Sequence, residues 1–238
     1  MSRGARQPYY ITDKGLKPSG VFIRHGISSV PASEEIIRNM LKSENLPFEK
    51  GRSLNQNLSF EYASHYFKSR NTSFTKENMR SLGLIDKDGF DSKIALLLSD
   101  NCEHSIKCAV FKDNDKLHFK ARKEFSGSIF KQLEDAFDFI TLNNNQTTTF
   151  DGLRRIDTND YPYFAIREAL ITAIIHRDYS FSGSIIISIF SNRIEIVSIG
   201  GLVESITLDD IMHGISQPRN TALANIFYRL ELIECYGS

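Results

Sequence analysis

Cysteine is scarce, with three residues in a chain of 238. That excludes a disulfide framework and fits a reducing compartment. Net charge is absent as well, because 29 Lys and Arg stand against 29 Asp and Glu. The chain as a whole is therefore no polyanion-binding surface, and any nucleic-acid contact has to be local. Long apolar runs are missing. Runs such as Ile94–Leu98 fall far short of the ~20 residues of a membrane span. The first ten residues, Met1 to Tyr10, have no apolar core and do not read as a signal peptide. A protein without membrane segments, cytoplasmic by these criteria, is the expectation. No Walker or Rossmann glycine fingerprint, serine elbow or metalloprotease motif is present, and no internal repeat.

What is there is ordinary globular composition, 41% hydrophobic and 24% charged. A chain of this length buries about three quarters of its unfolded surface and needs no staple. The first 25 residues hold Arg3, Arg6, Lys14, Lys17 and Arg24 against Asp13. Val21–Arg24 reads as a strand, and the stretch from Ser29 as a helix start with Pro31 in its first turn, closed by Pro47. A strand and one helix are too little for a domain and read as the closing part of one.

From Phe48 to about Ile140 the spacing predicts helices around Phe60–Phe67 and Met79–Leu82. Strands are expected at Lys93–Ser99 and Ile106–Phe111, then a long helix from Gly127-Ser128 with Ile129, Leu133, Ala136, Phe137 and Ile140 on one face. Asn143–Thr149 is polar and reads as a linker or exposed loop. Pro162 opens a helix that buries Ile166, Ala169, Leu170, Ala173 and Ile174 and runs into His176. Ser184–Phe190 and Arg193–Ser198 read as a hairpin, Gly200-Gly201 as a strand break. Thr207–Asp210 reads as a capping box, and Leu223–Leu230 as a last helix.

The segment Arg167-Glu-Ala-Leu-Ile-Thr-Ala-Ile-Ile-His-Arg-Asp-Tyr-Ser180 carries the chemistry. Glu168, Thr172 and His176 lie four residues apart, so they share one helix face. A row of Glu, a small hydroxyl and His toward a glycine pair could hold a nucleotide, a Mg²⁺ or a water; a core helix with a charged end is the plainer reading. A kinase catalytic loop is excluded at His176-Arg-Asp178, because no metal-binding Asp-Phe-Gly follows. Cys102-Glu-His-Ser-Ile-Lys-Cys108 lacks a fourth ligand at metal spacing and reads as a turn leading to a buried cysteine.

The order Tyr161-Pro162, Ala165–Leu170, His176–Ser180, Ser182-Gly-Ser184, Gly200-Gly-Leu202, Pro218-Arg-Asn220 and Leu232-Ile-Glu234 resembles the RecG-like, GHKL-type ATP-binding regulators of bacteria and archaea. The resemblance implies an α/β (α+β) protein in three parts. Residues 1–46 would be the closing piece of a Schlafen-type AlbA-like DNA-binding domain, 47–149 a middle α/β region, and 150–238 a GHKL-like sandwich before a winged helix. It implies a transcriptional regulator with DNA as partner through Arg3, Arg6, Lys14, Lys17 and Arg24, and ATP and Mg²⁺ as cofactors. The GHKL-like part would sense a nucleotide or serve as a scaffold, with a homo-oligomer as a further partner. The opposing class is a Mg-dependent ATPase with Glu168 as general base and Thr172 as metal ligand. His176, Arg177, Asp178, Gly200, Gly201, Arg219 and Asn220 would then line the nucleotide. Two positions depart from the pattern. Thr172 stands where the family has a Mg²⁺-binding asparagine, and Ser198-Ile-Gly-Gly-Leu202 replaces the Asp-x-Gly-x-Gly adenine box. The glycines that would cover a triphosphate would begin at Gly237. Asp178 is expected to pair with Arg177 or Arg219.

Overall fold

In the computed structural model the described residues are 10–25, 28–34, 36–37, 48–203, 206–215 and 217–234. They form an α/β fold with mixed pairing. The N-terminal piece is a two-stranded ribbon, β1 (Phe22–His25) antiparallel to β2 (Ser28–Pro31). Leu16, Val21, Ala32 and Ile37 close a small core beneath it. Pro31, expected inside a helix, ends β2 instead; its fixed φ and missing N–H suit an edge strand. Helical backbone follows at Glu34, Ile36 and Ile37, and the rest of that expected helix lies outside the described residues. Tyr10 docks the piece onto the body: its hydroxyl accepts from Arg52 at 2.9 Å, and its ring meets Phe90 edge-on at 5.0 Å.

The body has a four-stranded sheet in the order β4-β3-β7-β8. The central strands β3 (Ile106–Phe111) and β7 (Ile185–Ile189) run parallel, with Ile106 opposite Ile185 and Val110 opposite Ile189. A parallel pair needs a long crossover, and here it contains β4 (Phe119–Phe125), α4 (Ile129–Leu142), the hairpin β5 (Gln146–Asp151) and β6 (Arg154–Asn159), and α5 (Tyr163–Ile175). Strand β8 (Ile194–Val197) pairs antiparallel to β7. Between the 3-10 turn at Phe48–Lys50 and β3 lie α1 (Glu61–Ser69), α2 (Lys76–Ser81) and α3 (Lys93–Leu98), and among the described residues α6 (Leu208–Met212) and α7 (Thr221–Arg229) follow β8. One apolar core joins Ala63 to Leu232 and takes residues from α1, α4, α5, α7 and the central strands.

Three expectations are corrected. Lys93–Ser99 is not a strand. Ser92 caps the segment, its hydroxyl accepting Ala95 N–H at 3.4 Å, and Ala and Leu prefer helix. The five-residue apolar run Ile94–Leu98 is too short to show a period that separates the two. Asn143–Thr149 is no structureless linker, since from Gln146 it forms β5, turned at Gly152 with φ +61°. Ala169, expected in the core, is exposed. Strand β4 went unread because its Lys, Arg and Glu residues decorate an edge rather than alternate against a core.

Two helices begin without a local cap and borrow one from afar. Phe60 cannot cap α1, and the Asp100 carboxylate accepts Glu61 N–H at 2.8 Å and Tyr62 N–H at 3.2 Å. At α7 the cap position is Asn220, whose side chain turns away from its own helix. Glu49 replaces it. Fully buried in a 3-10 turn (Phe48–Lys50), it accepts Ala222 N–H at 2.8 Å, Leu223 N–H at 3.1 Å and the Thr221 hydroxyl at 3.0 Å. Three donors and the positive helix end make a buried carboxylate tolerable there. Removing it strands those donors. Glu49→Ala is expected to cost about 2–3 kcal/mol in urea unfolding, and Glu49→Gln, which keeps an acceptor, about half that.

Candidate functional site

Helix α5 is apolar around most of its circumference, with Ile166, Leu170, Ile171, Ala173, Ile174 and Ile175 buried. Its exposed residues are Tyr163 and Phe164 at the N-terminal end and then the small Ala165, Ala169 and Thr172, with half-covered Glu168 beside them. Glu168 forms an ion pair with Arg167, and Arg167 also donates to the Leu232 carbonyl. Thr172 is exposed, and its carbonyl accepts His176 N–H at 3.0 Å. Glu168 therefore lies two turns, about 12 Å of helix, from His176.

The other candidates gather at the C-terminal end of α5. Asp178 N–H donates to the Ile199 carbonyl at 2.7 Å, which pins the loop to the end of β8. One Asp178 oxygen accepts from the Ser180 N–H (3.0 Å) and hydroxyl (2.6 Å), the other from Arg219 at 3.5 Å. Of the two arginines expected to pair with it, Arg219 does. Arg219 also donates to the Gly201 carbonyl at 2.9 Å. Gly200 has φ +135°, and a Cβ there would lie 3.3 Å from Asp178, so both backbone and space call for glycine. Gly201 faces open space. The Asn220 amide donates to the carbonyls of Ile175 and Arg177, each at 2.7 Å, closing the helix end.

Arg177 lies beneath this cluster, fully buried. Its guanidinium donates to the Gly183 and Phe181 carbonyls and to His104 Nδ1 at 3.0 Å, and it rests 5.0 Å from the Tyr179 ring. No carboxylate faces it among these contacts; the negative end of α5 and the π face take that place. Burial lowers its pKa below the usual arginine value. His104 went unsingled in the sequence, since the Cys102–Cys108 stretch showed no metal spacing. Its ring stands edge-on to Tyr179 at 5.0 Å. Cys102 and Cys108 are free, buried thiols pushed by burial to about 11 and about 12, so neither is a nucleophile. Among the described residues no cluster of three His, Cys, Asp or Glu side chains could hold a metal.

Of the basic residues near the N-terminus, Lys14 and Lys17 are exposed. Arg3, Arg6 and the Arg24 side chain lie outside the described residues, as does Gly237.

Burial, then the neighbouring Arg177 charge, pushes the His104 pKa down to about 4. Burial, then Arg219, lowers that of His176 in the same direction. The unfolded chain takes up a proton near 6.5 while the folded chain does not, so stability falls as pH drops from about 6.5 toward 4. For His104 the loss approaches about 3 kcal/mol over that window. Urea unfolding at pH 7.5 and 5 measures it. His104→Gln, which retains an acceptor for Arg177 and cannot titrate, is expected to flatten the slope, leaving the His176 part.

Residues 183–238 match a family model described as "Putative ATP-dependent DNA helicase recG C-terminal". No curated protein matches the chain. Among solved structures, the DIP2311 protein from Corynebacterium diphtheriae is similar in fold, with a TM-score of 0.69 and 21% identity over 90% of this chain. This chain spans about half of that one, 45% of its length. No helix of the described residues is long and apolar enough to cross a membrane. Among the described residues, two of the groups expected at a site for ATP, which the matched family's description names, do not fit it. Ser198, which the resemblance sets where an adenine-binding acid would stand, donates its hydroxyl to the Ala173 carbonyl at 2.7 Å. It offers no carboxylate to an exocyclic amine, and the Glu168 carboxylate is held by Arg167.

Proposed function

We propose that the chain is part of a cytoplasmic DNA-binding transcriptional regulator whose GHKL-like C-terminal part is a scaffold and not an ATPase. The observation that supports this reading is that Asp178, Asn220 and one end of the Arg219 guanidinium bond to the protein itself, while Arg219 Nε and the Arg177 Nε and Nη1 are buried without a partner among the described residues. Asp178 is engaged by Ser180 and Arg219, Arg219 by the Gly201 carbonyl, and Asn220 by the end of α5. Such a cluster fixes a loop. Its unpartnered guanidinium nitrogens, on Arg177 and Arg219, are buried and not presented to solvent. Under this reading the AlbA-like piece up to residue 46 touches DNA through Lys14, Lys17, Arg3, Arg6 and Arg24. One observation favours the ATPase alternative: Glu168 and Thr172 share one helix row, and Thr172 is exposed.

Calorimetry with Mg-ATP separates the two. Missing one charge-assisted contact costs about 1.5–3 kcal/mol, so two missing contacts remove roughly 100-fold or more in affinity. The scaffold reading predicts no binding tighter than about millimolar and no phosphate release. A micromolar dissociation constant abolished by Glu168→Ala would establish the ATPase. Thr172→Asn is expected to restore some affinity if the site is decayed.

DNA is tested apart from nucleotide. Binding is expected to be weak, without sequence preference, and to fall with salt at a log–log slope of about −0.9 per phosphate contacted. Exchanging Lys14 and Lys17 for Glu should reduce that slope by about two contacts' worth. Salt-resistant binding that survives the exchange would locate the reading surface elsewhere.

A further inference from the structure

The hairpin β5–β6 stands out from the body. Every residue of β5 is exposed, and β6 is exposed from Arg154 to Thr158. Phe150 and Leu153 are 71% and 105% exposed, and neither they nor Ile156 join an apolar core among the described residues. The ribbon is tied at its foot. Asn144 and Tyr161 exchange two bonds of 2.7 and 3.0 Å, and Asp160 N–H reaches the Asn145 carbonyl at 2.9 Å. A lone two-stranded ribbon is marginal in water, and its outer edges carry unpaired backbone donors and acceptors that template another strand.

We propose that the free edge of β6 pairs antiparallel with β6 of a second copy, about a two-fold axis through Ile156, so that two hairpins make one four-stranded sheet. The sequence Arg154-Arg-Ile-Asp-Thr158 is self-complementary in that register. Ile156 meets its own symmetry mate, Arg155 faces Asp157 of the second copy, and Asp157 faces its Arg155. Within one copy Arg155 and Asp157 already share a face, 2.9 Å apart, so the dimer closes a ring of four alternating charges. Opposite charges across strands stabilise pairing, and like charges oppose it. The contact is isologous, and a two-fold closes it. The β5 edge lacks this match, since the corresponding pairing sets Thr against Thr and Asp151 against Gln146. A polyanion is the poorer occupant, because Arg154 and Arg155 are balanced along the ribbon by Asp151 and Asp157.

Sedimentation velocity of the whole chain tests the pairing. The wild-type chain is expected to associate reversibly. Arg155→Asp sets acid against acid and should weaken the dimer about tenfold or more, whereas Arg155→Asp with Asp157→Arg restores the match and the association. Because the ribbon adds nothing to the core, these variants keep the fold, which circular dichroism checks. Ile156→Cys should form a cross-linked dimer on oxidation that the parent chain does not. A wild-type chain that stays monomeric at about 100 μM, well above a weak-dimer constant, overturns the proposal. So does association that ignores Arg155→Asp or is not restored by the swap. If Arg155→Asp instead lowers oligonucleotide binding at unchanged mass, the ribbon contacts nucleic acid and the pairing is wrong.

Discussion

The fold turns on one buried amide. Asn220 opens α7 yet spends its side chain on the last carbonyls of α5, those of Ile175 and Arg177. Helix ends leave carbonyls and N–H groups without partners, and burial makes each orphan costly. By closing the end of α5, Asn220 leaves the start of α7 open, and Glu49 must come from more than 170 residues away to accept its N–H groups. Three separate stretches are thereby held in one register: the 3-10 turn at Phe48–Lys50, the end of α5 and the start of α7. The apolar contacts of Phe48 with Tyr179 and His104 pack the same junction from its other side.

This junction decides what the candidate residues can do. Arg177 leaves the helix into the interior, where loop carbonyls and His104 hold it, and Asp178 leaves outward to Arg219. Neighbours in sequence thus diverge at the end of α5. The loop after α5 is stiffened from both sides, and the residues after β8 are fixed to it through Ile199 and to α5 itself through Ser198. The network joins the secondary elements of the C-terminal part to one another. Such a network suits a platform that carries other surfaces. Lys14, Lys17 and the β5–β6 ribbon supply surfaces of that kind, exposed and outside the main core.

The sequence reading succeeded where the signal was local. The spacing of Ile129, Leu133, Ala136 and Ile140 marks α4, and Thr207–Asp210 forms the capping box its residues imply. The turn at Ser191-Asn192 joins β7 and β8. What stayed hidden depends on distant partners. Nothing near Phe60 or Asn220 reveals that Asp100 and Glu49 cap those helices, and nothing near His104 reveals Arg177. At Lys93–Leu98 the five apolar residues from Ile94 to Leu98 carry no period that separates helix from strand. The β5–β6 ribbon looked like a linker because its strands have no buried face. In the candidate site, Asp178, Gly200, Arg219 and Asn220 gather past the end of α5, while Thr172 lies in the last turn of α5 and Glu168 one turn before it, since helical rise separates residues that share a row.

The claim that matters most is that the C-terminal part is closed on itself. Amide hydrogen exchange, measured with and without millimolar Mg-ATP, tests it directly, because a ligand protects the segments that it touches. The account predicts unchanged exchange along Arg167–Ser180 and Ser198–Leu202, with slow exchange at the end of α5 in both states. Protection by the nucleotide confined to those two segments would show an open, functional nucleotide site and contradict the scaffold.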